Sequence, residues 1–478
     1  MLDTPWTVDD LNAENILVTQ RTSLKDIILE MEDLVLANAG VDAFEEVFKL
    51  IYAKLYDEAQ AARKPQGKRH LRFRVGGSTP KEFASKVDDL FKDAKKEWPG
   101  VFLPGEHVNL EPDHLKVCGS ALEKVKLFNS NLSVIDEAFE YLSVKAAKGE
   151  KGQYFTPRHV IDMCVKMLNP KVEEYVIDTA AGSCGFTVHA IFHVWGNEFT
   201  AEGPCKWQSD YASTHVYAID FDPRSTKIAQ ALNLIAGDGR TNVYRANTLD
   251  PRNWPMGVKA NLLPRLRRFE DDERDTWNQQ NFRYFDFDVL LTNPPFAGDI
   301  KDSRLLHQYD IARKGNGKWE TSVGRDILFI QRNLEFLKPG GRAAIVLPQG
   351  RFNNTGDEAI RRWIGDRARI LAVVGLHGNT FKPHTGTKTS ILFLQTWDDD
   401  KKSPTYNPPT DDYPVFLATS EKPGKDNSGD YLYRIGPDNA PALDKHHHMV
   451  VEHDLAQVAD AFVAWGRKQN LAFLTEEH

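Results

Sequence analysis

The run Phe287-Asp288-Val289-Leu290-Leu291-Thr292 stops at Asn293-Pro294-Pro295-Phe296, and this junction constrains the fold more than any other stretch of the chain. A short, largely apolar run reads as a buried parallel strand, and parallel strands need crossover helices and cover on both faces. Two consecutive prolines forbid both helix and ladder pairing, so the backbone beyond Asn293 is held extended with its carbonyls free. The carboxyl ends of strands are where open α/β sheets place their ligands. The corner therefore presents an amide side chain, an unpaired carbonyl and an aromatic face. Those groups suit an exocyclic amino group on a flat ring: the Asn293 amide oxygen and the Pro294 carbonyl each accept one N–H, and Phe296 stacks on the ring. Asn-Pro-Pro also occurs as an ordinary turn, so the corner needs support from elsewhere.

Upstream, Glu174-Tyr175-Val176-Ile177-Asp178 is a second short run, followed directly by Thr179-Ala180-Ala181-Gly182-Ser183-Cys184-Gly185-Phe186. Small residues and two glycines after a strand let the backbone approach a ligand closely before a helix begins at about Phe186. The loop lacks the dinucleotide spacing Gly-x-Gly-x-x-Gly and shows Asp-x-Ala-x-Gly-x-x-Gly-Phe instead. His215-Val216-Tyr217-Ala218-Ile219-Asp220 is a third run, closing in Asp220-Phe221-Asp222-Pro223. A carboxylate at such a strand end offers two acceptors to a diol, as a ribose presents; a helix N-cap is the competing role for Asp220. Asn242 to Leu249 forms a fourth element ending in the polar Asn247, and Gly152-Gln153-Tyr154-Phe155-Thr156-Pro157-Arg158 precedes them all. Thr156-Pro157 predicts a helix start, with Thr156 as cap and Pro157 at the first position.

Taken in chain order, the Gly152–Arg158 segment, the glycine loop, the strand-end acid Asp220 and the Asn-Pro-Pro-Phe corner resemble the adenine-N6 DNA methyltransferases whose cofactor half precedes the catalytic half. Asp-x-Ala-x-Gly-x-x-Gly-Phe is similar to their S-adenosylmethionine loop, Gly152 to Pro157 to their Gly-Gln-Phe-Tyr-Thr-Pro signature, and Asn-Pro-Pro-Phe to their target pocket. The nearest resemblance is to modification subunits of type I restriction-modification systems, and it extends from about the N-terminal helices to Leu394. It implies an α/β, Rossmann-like methyltransferase fold with a seven-stranded, mostly parallel sheet, an N-terminal helical domain and a C-terminal tail helix. It implies S-adenosyl-L-methionine as cofactor, bound by Gln153, Tyr154, Phe155, Thr156, Asp178, Ala180, Gly182, Ser183, Gly185, Phe186, Asp220, Asn247 and Asn293, with Tyr154 and Phe155 on its methionine side. Asn247 stands where the family often has Asp, and its amide oxygen can still accept an adenine amino group. Catalysis falls to Asn293, Pro294, Pro295 and Phe296 acting on a flipped-out adenine. The implied partners are double-stranded DNA, a separate specificity subunit, a second copy of the modification subunit and a motor nuclease. Two other functions fit parts of the pattern. One is methylation of protein glutamine or RNA guanine N2, which uses a similar corner; the other is a catalytically silent DNA-binding scaffold.

Downstream, Asp326 to Leu337 has helical spacing and stops at Lys338-Pro339-Gly340-Gly341. Runs at 342–348, 370–376 and 389–394 complete seven strands. Between the last two, Asn379 to Lys388 resembles the family's loop beside the target base, and fits a polar hairpin turn equally well. The organisation predicted is a helical domain over 1–150, the methyltransferase domain over 151–397, and a Pro/Gly/Asp-rich linker with a hairpin near Pro414–Ala418 over 398–478. Its final helix, Asp454 to Gln469, has a stripe of Leu455, Val458, Phe462 and Trp465 that fits either the domain or a partner.

The formal net charge of −8 is a global figure, whereas phosphate contacts are local. The Ala297–Gly324 loop carries Lys301, Arg304, Arg313, Lys314 and Lys318, and with Lys388 it forms the candidate DNA surface beside the corner. Arg265-Arg267-Arg268 precedes an acidic run and reads as a self-neutralised surface. Arg63 to Arg74 fits a solvated loop or a DNA contact. No run approaches the roughly eighteen apolar residues of a membrane span, and the four cysteines lack a pairing or zinc pattern. His446-His447-His448 is the one metal-like cluster, but adjacent loop residues rarely converge on one ion. These features predict a cytoplasmic protein with no metal, and the resemblance implies a bacterial or archaeal one.

Overall fold

The computed structural model of the chain describes residues 6–19, 22, 24–36, 39–65, 69–98, 101–102, 105–128, 155–196, 204–235, 242–437, 439–444 and 449–475. Gln153, Tyr154 and the His446–His448 cluster lie outside them. The strands are β1 (Val176–Asp178), β2 (Val216–Asp220), β3 (Val243–Arg245), β4 (Phe287–Thr292), β5 (Asp299–Ile300), β6 (Val323–Gly324), β7 (Leu337–Pro348), β8 (Ala368–Gly375), β9 (Thr389–Thr396) and β10 (Phe416–Thr419). The main sheet has the order β10-β8-β9-β7-β4-β1-β2-β3, and β5 and β6 form a separate antiparallel ribbon.

All main-sheet pairings are parallel except those of β9 with β7 and β8. β1 and β4 show why the sheet centre forms as it does: every residue of both strands is buried, as strands covered on two faces require. The chain moves outward from β1 to β2 and β3, then returns to place β4 on the other side of β1. The order therefore reverses beside β1, and the crevice at such a reversal is where open α/β sheets bind ligands.

The sheet has eight strands rather than seven. Phe416 to Thr419, expected as a hairpin, instead pairs in parallel with Ala372 to Gly375 and closes that edge. A hairpin pairs with its own sequence neighbour; here an amphipathic tail helix, Leu455–Lys468, holds the segment against the sheet. Phe416 stacks edge-on against Phe462, with ring centroids 5.5 Å apart. The stripe predicted on that helix faces this core: Leu455 and Phe462 are buried, with Val458 and Trp465 packed alongside. The stretch before it is no free linker. Successive bridges pair Pro423 with His453, Lys425 with Tyr431 and Tyr433 with Val451, and His453 stacks on His159 of helix Arg158–Leu168.

The N-terminal helices, chiefly Ala43–Ala62, Pro80–Glu97 and Pro112–Glu123, form a layer whose core is continuous with the β1–β3 half of the sheet. Phe48, Phe83 and Leu122 belong to the same apolar cluster as Ala181, Val188 and Ile228.

Candidate active site

Three carboxyl-terminal strand ends build one edge of the site. Asp178 closes β1 and is 1% exposed. It accepts the Ala180 N–H at 3.0 Å, and burial pushes its carboxyl up to about 7, against the pull of that bond and of the Thr292 hydroxyl. Gly182 follows at φ +51°, where a side chain would be strained, and its N–H is thereby aimed at Asp220 Oδ2, 2.8 Å away. Asp220 closes β2 and also accepts the Asp222 N–H at 2.8 Å; burial pushes it up to about 6. It does not cap the next helix. Asp222 does, taking the Ser225 N–H at 2.6 Å. Asp220 is left to join the cofactor-type loop to the second strand end, where a carboxylate keeps lone pairs beyond those two bonds.

Asn247, just past β3, is exposed, and its Oδ1 accepts the Leu249 N–H at 3.1 Å. Ala180, Gly182 and Gly185 are partly exposed along the loop, whereas Ser183 is buried. Phe186 departs from the expected set: its ring is 3% exposed within the core of helix Gly185–Trp195, so its side chain serves packing rather than the loop.

The Asn-Pro-Pro-Phe corner leaves the sheet where the β4–β7 ladder ends at Thr292. Asn293 donates from Nδ2 to Thr156 Oγ1 at 3.1 Å, bringing together segments 137 residues apart. Thr156 is thus not the expected helix cap. Pro157 occupies the cap position of helix Arg158–Leu168 without a side-chain bond, and the Thr156 hydroxyl orients Asn293 instead. Asn293 Oδ1 is buried and has no hydrogen-bond partner among the described residues. A buried unpaired acceptor costs about 1–3 kcal/mol, so it marks a group set for a donor from outside the chain. Pro294 is buried; Pro295, Phe296 and Phe155 are half-buried nearby in sequence and fold.

Several supporting residues escaped the sequence reading. Thr179 Oγ1 donates to Asn333 Oδ1 at 2.6 Å and lies 3.3 Å from Thr292 Oγ1, while Thr248 donates to the Thr179 carbonyl at 2.6 Å. This network fixes the ends of β1, β3 and β4 to helix Arg325–Phe336. Its one readable signal was Asn333, a polar residue on an apolar helical face. Phe221 was missed too: directly after Asp220, its ring is 71% exposed, a large apolar area left facing solvent beside the acid.

The basic residues divide. Arg304 pairs with Asp302 at 3.2 Å, Lys314 with Glu320 at 3.1 Å, and Arg313 donates to Gly317 within its own turn. Lys301, Lys318 and Lys388 are exposed, with no ion pair among the described residues. Ala297–Gly324 is a folded insertion rather than a loop, since Leu305, Leu306, Tyr309 and Val323 share a core with Leu249 and Phe329. Lys388 sits at the carboxyl end of β7, its carbonyl accepting the Gln349 N–H. Elsewhere Arg63, Arg72 and Arg74 pair with Glu97, Asp93 and Glu123. Arg267 and Arg268 pair with Asp286 and Asp275 rather than with the acidic run beside them.

Comparison with known proteins agrees with this geometry. A family model described as N-6 DNA methylase matches residues 131–406, more than half of the chain. Over 268 residues the chain is 27% identical to the type I restriction enzyme EcoEI methylase subunit of Escherichia coli, covering 55% of this chain and 46% of that one. Over 365 residues it is 24% identical to the EcoKI methylase subunit of Escherichia coli strain K12, covering 73% and 62%. The chain thus spans about half the length of these curated relatives. Among solved structures, a chain from a study of type I R-M system assembly superposes with a TM-score of 0.55 at 17% identity, covering 95% of this chain and 85% of that one. A type I methyltransferase subunit from Streptococcus thermophilus gives 0.52 at 13% identity, covering 92% of each. These superpositions establish a shared fold.

Proposed function

Because the chain belongs to the N-6 DNA methylase family, we propose that it transfers a methyl group from S-adenosyl-L-methionine to the N6 amino group of adenine in DNA, as the modification subunit of a type I restriction-modification system. The observation that carries this reading is the buried, unpartnered Oδ1 of Asn293 at the carboxyl end of β4. The residues present fit the cofactor. Gly182 lets the loop backbone approach a ligand, Asp220 has lone pairs for ribose hydroxyls, and exposed Phe221 offers a face for a flat ring. Phe155 and Thr156 border the Asn293 side, and Asn247 holds an acceptor near the third strand end. When bound, the cofactor supplies an intrinsically activated sulfonium methyl.

The chain's own task is to make a poor nucleophile reactive. The adenine N6 lone pair is delocalised into the ring. Asn293 Oδ1 and the Pro294 carbonyl, each accepting one N–H, favour a more tetrahedral nitrogen and thus weight their stabilisation towards the transition state. Thr156 fixes the amide so that its oxygen points one way. Phe296 provides the stacking face for a base flipped out of the duplex. The departing proton can pass to solvent, so no general base is assigned. DNA phosphates would meet Lys301, Lys318 and Lys388.

Tritium transfer from labelled S-adenosylmethionine to DNA, with digestion to nucleosides, tests the reading. N6-methyladenine should form with the parent in its full complex, and Asn293→Ala should abolish it. An Asn293→Ala variant within about tenfold of the parent, a difference of only about 1.4 kcal/mol, would remove Asn293 from the reaction.

A further inference from the structure

We propose that the N-terminal helical layer is a working part of the cofactor site: through Lys227 it holds the Asp220–Asp222 turn in place, coupling the seating of the layer to binding of the cofactor's nucleoside end. This rests on the reading of Asp220 as the ribose acceptor.

The argument begins at the helix Pro223–Ile235, which is the direct continuation of that turn. Asp220 grips the Gly182 N–H, and Asp222 grips the Ser225 N–H and the Thr226 hydroxyl, so turn and first helical coil move together. Two cations, Arg224 and Lys227, stand in the opening turns of this helix, where the positive end of the helix dipole disfavours them. Their counter-charges come from the N-terminal layer. Lys227 Nζ lies 2.9 Å from Glu45 and 3.6 Å from Glu106, and 4.9 Å from the centre of the Phe102 ring. Its side chain is only 19% exposed, so these contacts are weakly screened. Arg224 reaches Asp42 at 3.4 Å, and Asp42 is itself the N-cap of helix Ala43–Ala62. Beneath the cations, Ile228, Ala229 and Leu232 are buried in the same cluster as Phe44, Phe48 and Phe102.

The layer also reaches the glycine loop, since Ala181, Cys184 and Val188 belong to that cluster. It therefore supports both halves of the ribose grip, the loop that donates and the acid that accepts. A cleft of about 480 Å³ at the seam, lined in part by Asp42, Glu45, Glu106 and Lys227, leaves the contact room to shift. An arrangement of this kind transmits: whatever orders the acid turn steadies the layer, and the reverse, because coupling free energies are reciprocal. Lys227 is a positioning residue and touches no reactant.

Calorimetric titration of S-adenosylmethionine into the full chain, with amide hydrogen exchange over residues 43–62, tests this. Lys227→Ala should weaken binding about five- to tenfold, within the usual range for coupled sites, and Lys227→Arg should restore most of it. Cofactor should slow exchange over 43–62 in the parent and leave it unchanged in Lys227→Ala. A general loss of stability would not produce that cofactor-dependent difference. If Lys227→Ala does not fold, Glu45→Gln probes the same contact from the layer's side and should shift both readouts in the same direction. Parent-like affinity and protection in these variants, alongside lost binding in Asp220→Ala, would overturn the coupling alone. Parent-like binding in Asp220→Ala would overturn the ribose reading and the coupling with it.

Discussion

Asn293 and Asp220 face opposite electrostatic problems. Asn293 is neutral and has one orphaned acceptor; Asp220 is ionisable, buried, and held by two N–H groups that only partly offset its loss of hydration. With the carboxyl pushed up to about 6, the group is ionised at pH 7.5 and largely protonated at pH 5.5. Protonation removes both the charge and an acceptor, so affinity should fall as pH falls through 6. Calorimetry should show S-adenosylmethionine binding at least about fourfold weaker at pH 5.5 than at pH 7.5, and Asp220→Asn should reduce that dependence to the part carried by Asp178, whose carboxyl burial pushes up to about 7. At the corner, Phe296→Ala should weaken the flipped state by about 1–3 kcal/mol, and Phe296→Tyr should be tolerated. Fluorescence of 2-aminopurine at the target position reads this directly, and an unchanged signal would remove Phe296 from the stacking role. Both residues were legible because each ends a run of buried strand residues. Phe221 was less so, since a lone aromatic after an acid becomes informative only once its exposure is known.

At the scale of elements, regular strands were readable and the insertions between them were not. β4 and β9 announce themselves as short apolar runs. The Ala297–Gly324 stretch looked like a basic loop because its apolar residues are spaced irregularly; it folds because Leu305, Leu306 and Tyr309 find Leu249 and Phe329 from distant parts of the chain. That folding sorts its charges. Lys301→Ala and Lys318→Ala should each lower DNA affinity similarly on every sequence and reduce the salt slope by about 0.9, the value for one phosphate contact. Arg304→Ala and Lys314→Ala, which remove already paired cations, should do less. Filter binding across a salt series checks this, and equal effects from all four would remove the distinction. The same long-range logic produced β10: nothing in Phe416–Thr419 indicates a parallel partner, which is β8, and the tail helix holds the strand against it.

For the molecule as a whole, we expect the isolated chain to bind cofactor but to methylate DNA poorly and without a defined site, gaining both with a specificity partner. Specific DNA interfaces usually bury at least about 1,000 Å² and read base edges from a dedicated element. Here the tail is committed to the sheet edge and to helix Arg158–Leu168, and Arg63, Arg72 and Arg74 of the N-terminal basic stretch are paired with acids. Sequencing the methylated products of the purified chain checks this; efficient modification at one discrete motif would refute it. Local chemistry determined the order of the strands along the chain, the acid and the glycine turn at their ends, and the proline corner, because each depends on residues adjacent in sequence. Tertiary structure alone decided that Thr156 orients Asn293 rather than capping a helix, that Phe186 belongs to the core, and that the N-terminal layer seats on helix Pro223–Ile235. Each of those outcomes is a competition for a partner more than a hundred residues away or for a place in a shared core, and such competitions are settled by packing rather than by neighbouring residues.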